Sequence, residues 1–199
     1  MAKRAFDLVV SAVALLCLAP VLALLALAVR LDSPGPALFR QERVGRHGRL
    51  FRIHKFRTMV VDAPSRGPAL TVGTDPRITR RGVWLRRSRL DELPQLLDVL
   101  RGDMSLVGPR PEVPRYVALY PAALRERALA VRPGITDPSS LQFLDEAQHL
   151  AAAADPEREY VERILPRKLQ CAADYAEHAT LRSDLAVLWR TETMLSRRG

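Results

Sequence analysis

The chain has 199 residues, and 31 Lys and Arg against 22 Asp and Glu leave a net charge of +9. That length suits a single domain, and two cysteines, Cys17 and Cys171, exclude a disulfide framework and point to a reducing compartment. Gly, Pro and Asp cluster at 33–36, 62–76 and 132–139 with no repeat or low-complexity linker, so one folded unit over 1–199 is expected.

The first predicted element is apolar. Lys3 and Arg4 precede an uncharged run from Leu8 to Val29, Arg30 closes it, and Pro20 interrupts it. A helix needs about 20 apolar residues to cross the hydrocarbon, so the length is met. A signal peptide would share the basic start, and Ala26-Leu27-Ala28 resembles a cleavage site, but its apolar core is usually shorter. A straight transmembrane helix would put the Arg-rich remainder across the membrane from Lys3 and Arg4, against the usual distribution of basic flanks. The third reading, a re-entrant hairpin over 1–32 with both ends on one side, accounts for the charges at both ends. Pro20 would leave the Leu16 carbonyl without its partner and bend the helix there. In lipid that carbonyl would be costly unless a neighbour such as Ser11, a water or the second arm satisfied it.

Beyond the Ser33–Pro36 corner, Ala37–Val44 and Leu50–Phe56 read as two strands of a hairpin, with Phe51, Ile53 and Lys55 on one partly buried face. Six arginines between 77 and 89 precede a predicted helix in which Leu93, Leu96, Leu97 and Leu100 share a face. Pro94 fits only its first turn, which puts Asp91 at or just before the amino end. Free backbone N–H groups and nearby guanidinium groups should hold that carboxylate as the anion and attract phosphate. Two acidic residues opening a helix are also an ordinary cap. Pro109 and Pro111 flank Arg110 and restrict it, as in a phosphate clamp or a simple turn.

The remainder reads as helical: 114–131, 145–154, 156–165 and 167–196, with breaks in the longer stretches. Tyr160, Ile164 and Leu165 share an apolar face, and Leu181, Leu185, Leu188 and Trp189 another. Core packing is expected for Trp189, with the membrane interface as the alternative. His47, His54, His149 and His178 are scattered without metal-ligand spacing and read as surface or hydrogen-bonding residues. No P-loop is present.

Five motifs now resemble one family in order: Lys3-Arg4-Ala5-Phe6-Asp7, Ser33-Pro34-Gly35-Pro36, Lys55-Phe56-Arg57-Thr58-Met59, Leu90–Leu96, and Gly102–Pro111, followed by Arg132-Pro133-Gly134-Ile135-Thr136. They are similar to the bacterial sugar transferases, in particular the small monotopic phosphoglycosyl transferases, over essentially the whole chain. The resemblance implies a compact, mostly helical α/β unit with a small β-hairpin, anchored by a re-entrant helix-break-helix. Its expected place is the cytoplasmic face of the bacterial inner membrane, among that membrane's lipids. It implies transfer of a phosphosugar from a UDP-sugar to undecaprenyl phosphate, with release of UMP and use of Mg2+; no nucleic-acid partner is expected. By the same resemblance Asp91 is the nucleophile and Glu92 its catalytic neighbour, both near the metal. Arg86 and Arg110 become phosphate-binding candidates, as do Lys55 and Arg57 unless they are structural ion-pair members. Larger relatives place a membrane bundle before the catalytic unit, so the chain resembles the minimal form. Ala19 stands before Pro20 where many members have Ser, and Asp137-Pro138-Ser139-Ser140 replaces a glycine-containing sequence, which leaves the sugar open. A homodimer is plausible, although no interface declares itself.

Overall fold

The computed structural model describes residues 2–67, 70–141, 143 and 146–196. Helix α1 runs from Ala2 to Asp32 with Pro20 inside it. The expected break is therefore not seen as an interruption of the helix. One proline removes a single N–H while its neighbours keep theirs. Ser11 Oγ is buried and has no hydrogen-bond partner among the described residues, so it does not serve the Leu16 carbonyl.

Helix α1 has two seats on the rest of the chain. Phe6, Ala14 and Leu15 pack with Leu96, Leu106 and Val107, whereas Leu22, Leu25, Ala26 and Val29 pack with Phe56 and Leu85. Polar contacts pin both ends. Asp7 accepts from Ser105 Oγ at 2.8 Å and Leu106 N at 3.2 Å, and Lys3 pairs with Asp184 and donates to the Val107 carbonyl. At the other end Arg57 donates to the Ser33 carbonyl at 2.8 Å and to Ser33 Oγ at 2.5 Å. The stretch Leu16–Val21 belongs to neither cluster, and Leu16 is 77% exposed. With a mean hydropathy of 2.8 over its most apolar 18 residues and an apolar exposed side, α1 fits membrane association.

Strands β1, Leu38–Val44, and β2, Leu50–Phe56, pair antiparallel from Leu38 opposite Phe56 to Val44 opposite Leu50. The predicted hairpin is borne out, with its first strand one residue shorter. Phe51 and Ile53 pack on Val99 and Met104. His54, on the opposite face, is buried as well. Asp98 accepts from its backbone N at 2.9 Å and meets its Nδ1 at 2.5 Å.

Two short helices follow, α2 (Ala63–Arg66) and α3 (Arg80–Arg87), then a 3-10 turn, Leu90–Gln95, that runs into α4, Leu96–Arg101. The leucine face expected here is only partly right: Leu96 and Val99 are buried, but Leu97 and Leu100 are exposed. The tighter 3-10 turn advances the phase before α4 begins. Strands β3, Ser105–Val107, and β4, Gly134–Thr136, pair in parallel. At three residues each they are too short to show alternation. Gly108 and Gly134 make this pairing possible, since a Cβ on Gly134 would lie 2.0 Å from Gly108 N.

The helical stretch over 114–131, expected to be broken, is two helices, α5 (Pro114–Val117) and α6 (Ala122–Ala128), parted at Pro121. Next come α7, Glu146–Ala152, and α8, Pro156–Glu159. The predicted start of that region at Asp145 lies outside the described residues. A π-helical turn, Tyr160–Ile164, carries α8 into α9, Leu165–His178. Tyr160, Ile164 and Leu165 are buried together with Tyr116 and Leu150, as expected. The stretch read as 167–196 breaks before α10, Leu181–Ser196, where Thr180 Oγ1 accepts from Ser183 N as a cap. Trp189 is corrected: it is 72% exposed, while Val187 and Leu188 face the core. The fold is thus mostly helical, with two small sheets.

Candidate active site

A cleft of about 930 Å3 opens between the hairpin, α3, the 3-10 turn and the segment after β3. This volume lies within the usual range for small-molecule sites. Asp91, Glu92, Lys55, Arg57, Arg86 and Arg110 all line it, so the candidates separated by 55 positions in sequence converge.

Local packing aims each of them. A Cβ on Gly82 would lie 2.1 Å from the Thr58 carbonyl, so this glycine lets α3 rest directly on the chain leaving β2. One turn later Arg86 Nε donates to Thr58 Oγ1 at 2.8 Å. Arg89 then takes a left-handed conformation, φ 59°, before the 3-10 turn that carries Asp91 and Glu92. Such a conformation costs a non-glycine residue about 1 kcal/mol or more and persists where the surroundings enforce it. The Gly108–Gly134 contact fixes the turn that presents Arg110.

The two carboxylates differ in their partners. Glu92 Oε1 accepts from Lys55 Nζ at 2.5 Å and from Arg110 at 3.0 Å. Burial opposes its ionisation, yet Lys55 and Arg110 outweigh burial and hold it well below the usual carboxylate range. Glu92 in turn keeps Arg110 firmly charged. Asp91 is buried and has no hydrogen-bond or ion-pair partner among the described residues. Burial raises its pKa above the ordinary value, against the pull of Lys55 and Arg86. The arginines favour its anion, as expected, but burial outweighs them, and the clamped anion is Glu92.

Arg57 also sits in the wall, but its donors go to Pro36, Ser33 and Met59 carbonyls and to Ser33 Oγ. It ties the cleft to the end of α1. Arg86 is half-buried beside Asp91, with burial lowering its pKa and Asp91 opposing that fall. Three further lining residues were not singled out from sequence: Thr58, Arg43 and Glu112. Thr58 stands inside the Lys55–Met59 motif, and Arg43 pairs with Phe51 across the hairpin and shares its face with Gln41. That two-residue alternation was the available signal. Among the described residues no three His, Cys, Asp or Glu side chains gather as a metal cage.

An unpartnered carboxylate set among cations thus lies in the cleft of a chain whose exposed apolar helix fits membrane association. A family model described as bacterial sugar transferase matches residues 1–198, and the chain belongs to that family. It is 53% identical over 140 residues to the undecaprenyl-phosphate glucose phosphotransferase of Komagataeibacter xylinus, covering 67% of this chain and 26% of that protein. It is 41% identical over 191 residues to the UDP-glucose:undecaprenyl-phosphate glucose-1-phosphate transferase of Caulobacter vibrioides, covering 95% of this chain and 67% of the relative. A putative undecaprenyl-phosphate N-acetylgalactosaminyl 1-phosphate transferase of Bacillus subtilis is 46% identical over 118 residues, covering 59% of this chain and 66% of the relative. The match therefore spans from about a quarter to two thirds of these relatives' lengths.

Proposed function

We propose that this chain transfers a phosphosugar from a UDP-sugar to undecaprenyl phosphate, with Asp91 forming a transient covalent bond to phosphorus. The observation that carries the proposal is the contrast within the pair: Glu92 is spent on Lys55 and Arg110, while Asp91 faces the cleft with nothing bonded to it. The names of the relatives supply the substrates.

A carboxylate oxygen of Asp91 attacks the sugar-linked phosphorus, and the bridging P–O bond breaks with its electron pair leaving on UMP. A phosphate oxygen of the lipid then attacks the same phosphorus, the Asp91–phosphorus bond breaks, and the carboxylate is restored. Arg86 and Arg110 are placed to bind the diphosphate and the charge that spreads over its oxygens. Without the bonds from Lys55 and Arg110 that Glu92 receives, Asp91 has the less stabilised, more nucleophilic anion. The unpartnered Asp91 carboxylate and the second Glu92 oxygen fit a Mg2+ ion, which favours hard oxygen donors. When bound, the ion would neutralise diphosphate oxygens that repel an incoming carboxylate.

The two seats of α1 support a one-sided topology. A perpendicular span would put Lys3 and Ser33 on opposite membrane faces, yet both are bonded to the same folded body. Entry and exit through one leaflet, with the unseated stretch around Pro20 deepest, agrees with both contacts. The cytoplasmic leaflet is the side that offers a UDP-sugar. Cys17, exposed within that stretch, gives a direct check. In a Cys171→Ser background a membrane-impermeant maleimide should leave it unlabelled in vesicles, and cysteines placed at Lys3 and Ser33 should share one accessibility.

Incubation with UDP-sugar but no lipid acceptor should raise the intact mass by one phosphosugar, and Asp91→Asn should abolish that adduct. Release of UDP in place of UMP would overturn the proposal in favour of transfer of the sugar alone.

A further inference from the structure

The cleft does not end at Asp91. It continues along β1 to Gln41, Arg43, Glu112 and Tyr160. Arg43 is five residues from Leu38, about 17 Å at the rise of an extended strand. The two ends differ in what surrounds them. Leu38 and Phe56 pack on Leu25 and Val29 of α1, so that end adjoins the membrane anchor. At the other end Val44 N donates to the Glu112 carbonyl at 2.9 Å, away from α1.

Their chemistry differs as well. Around Asp91 the lining is cationic, with Lys55, Arg86 and Arg110 set to hold phosphate oxygens. The far end carries both signs of charge: Lys168 pairs with Glu146 at 2.5 Å, and Arg43 and Glu112 line the same wall. Tyr160 donates to Glu112 Oε1 at 2.6 Å, and its ring lies 4.8 Å from that of Tyr116 and 5.2 Å below the Lys168 ammonium. Arg43 donates to the Pro111 carbonyl and to Gln41 Oε1, and its buried Nε has no partner among the described residues. Tyr160 opens the π-helical turn, a local irregularity that recurs at functional sites and re-aims the side chain at its start. A fixed set of donors and acceptors with an aromatic wall and balanced charge suits a neutral, hydroxyl-rich group better than a diphosphate.

We infer that the end of the cleft formed by Arg43, Glu112 and Tyr160 is the subsite that reads the sugar of the donor. The inference rests on the two-displacement reading above. In-line substitution places the departing UMP opposite Asp91, and the lipid phosphate must later attack opposite Asp91 too, so nucleotide and lipid use the same side of phosphorus in turn. The lipid arrives beside α1, so that side is the anchor end. The sugar, which stays on phosphorus through both steps, occupies the remaining direction. A site that hydrogen-bonds particular hydroxyl groups rejects analogues whose substituents leave its buried polar atoms unpaired. Arg43, Glu112 and Tyr160 are accordingly specificity determinants, not groups that make or break a bond.

The test measures UMP release from UDP-glucose, UDP-galactose, UDP-N-acetylglucosamine and UDP-N-acetylgalactosamine, together with inhibition by UMP, for the unmodified chain, Tyr160→Phe and Glu112→Gln. The expected result is a change of about tenfold or more in the ratio of kcat/KM between sugars, with the UMP inhibition constant unchanged. Unaltered ratios in both variants would overturn the assignment. Weakened UMP inhibition at constant ratios would overturn it too, by placing the nucleotide there. Tyr160→Phe keeps the shape of the ring, so it carries the test should Glu112→Gln fail to fold. Failure of the underlying reading looks different: Asp91→Asn would retain UMP release, or UDP would be the product.

Discussion

Asp91 and Asp98 are two buried aspartates seven positions apart on one continuous helical segment, and burial raises the pKa of both. Asp98 is repaid for leaving water: it accepts from the backbone and ring of His54, and Arg101 meets the other ring nitrogen at 3.1 Å. Asp91 has no such partner. A buried charge costs several kcal/mol unless it is bonded, so a fold retains an unbonded one only where something outside the fold completes it. The partnered carboxylate holds β2 to α4, and the unpartnered one awaits a ligand.

The largest effect that could break this comparison is on turnover. Asp91→Asn should lower UMP release by about ten-thousand-fold or more, the scale seen when a covalent nucleophile is removed. Its thermal midpoint should hold or rise. Because the folded-state pKa of Asp91 is raised, its ionisation opposes folding above that pKa, and the cost is relieved as pH falls through it. An Asp91→Asn variant that melts several degrees lower would show that Asp91 is structural after all.

Asp98→Ala should behave in reverse, losing about 3 kcal/mol or more because it leaves His54 and its backbone N buried without their acceptor. Denaturant unfolding would record this, and a loss below about 1 kcal/mol would remove the distinction between the two sites. Next in size is the pH profile. UMP release should decline as pH falls through the raised pKa of Asp91, above the ordinary carboxyl value of 3.8, whereas Glu92 stays ionised. The stabilising contribution of Glu92 is present above the ordinary carboxyl range and lost only as pH drops toward its depressed folded-state pKa. The smallest effect belongs to Trp189→Ala, expected within about 0.5 kcal/mol in unfolding experiments because the ring is exposed. Vesicle flotation would show any weaker hold on the membrane.

Much of the architecture was legible because it rests on pattern. The apolar run, the hairpin and the face of Tyr160, Ile164 and Leu165 follow from periodicity over five or more residues. What escaped depended on phase or on contacts between distant segments. The 3-10 turn rotated Leu97 and Leu100 outward, and the parallel β3–β4 pair hangs on a backbone approach between Gly108 and Gly134 that no single strand announces. At the site, the residues were legible from motifs, but their charge states were not. Which of two adjacent carboxylates receives Lys55 and Arg110 is decided by the turn after Arg89. Arg57 shows the converse: a basic residue in a functional motif can have its donors spent on the Ser33–Pro36 corner.

Lys3 meets Asp184 across 181 positions of chain. During synthesis α1 thus waits for α10 before its amino end can be seated. Such a greasy segment is prone to aggregate if left in water. Insertion into lipid should therefore precede docking, with the rest of the polypeptide folding around a helix already in the bilayer.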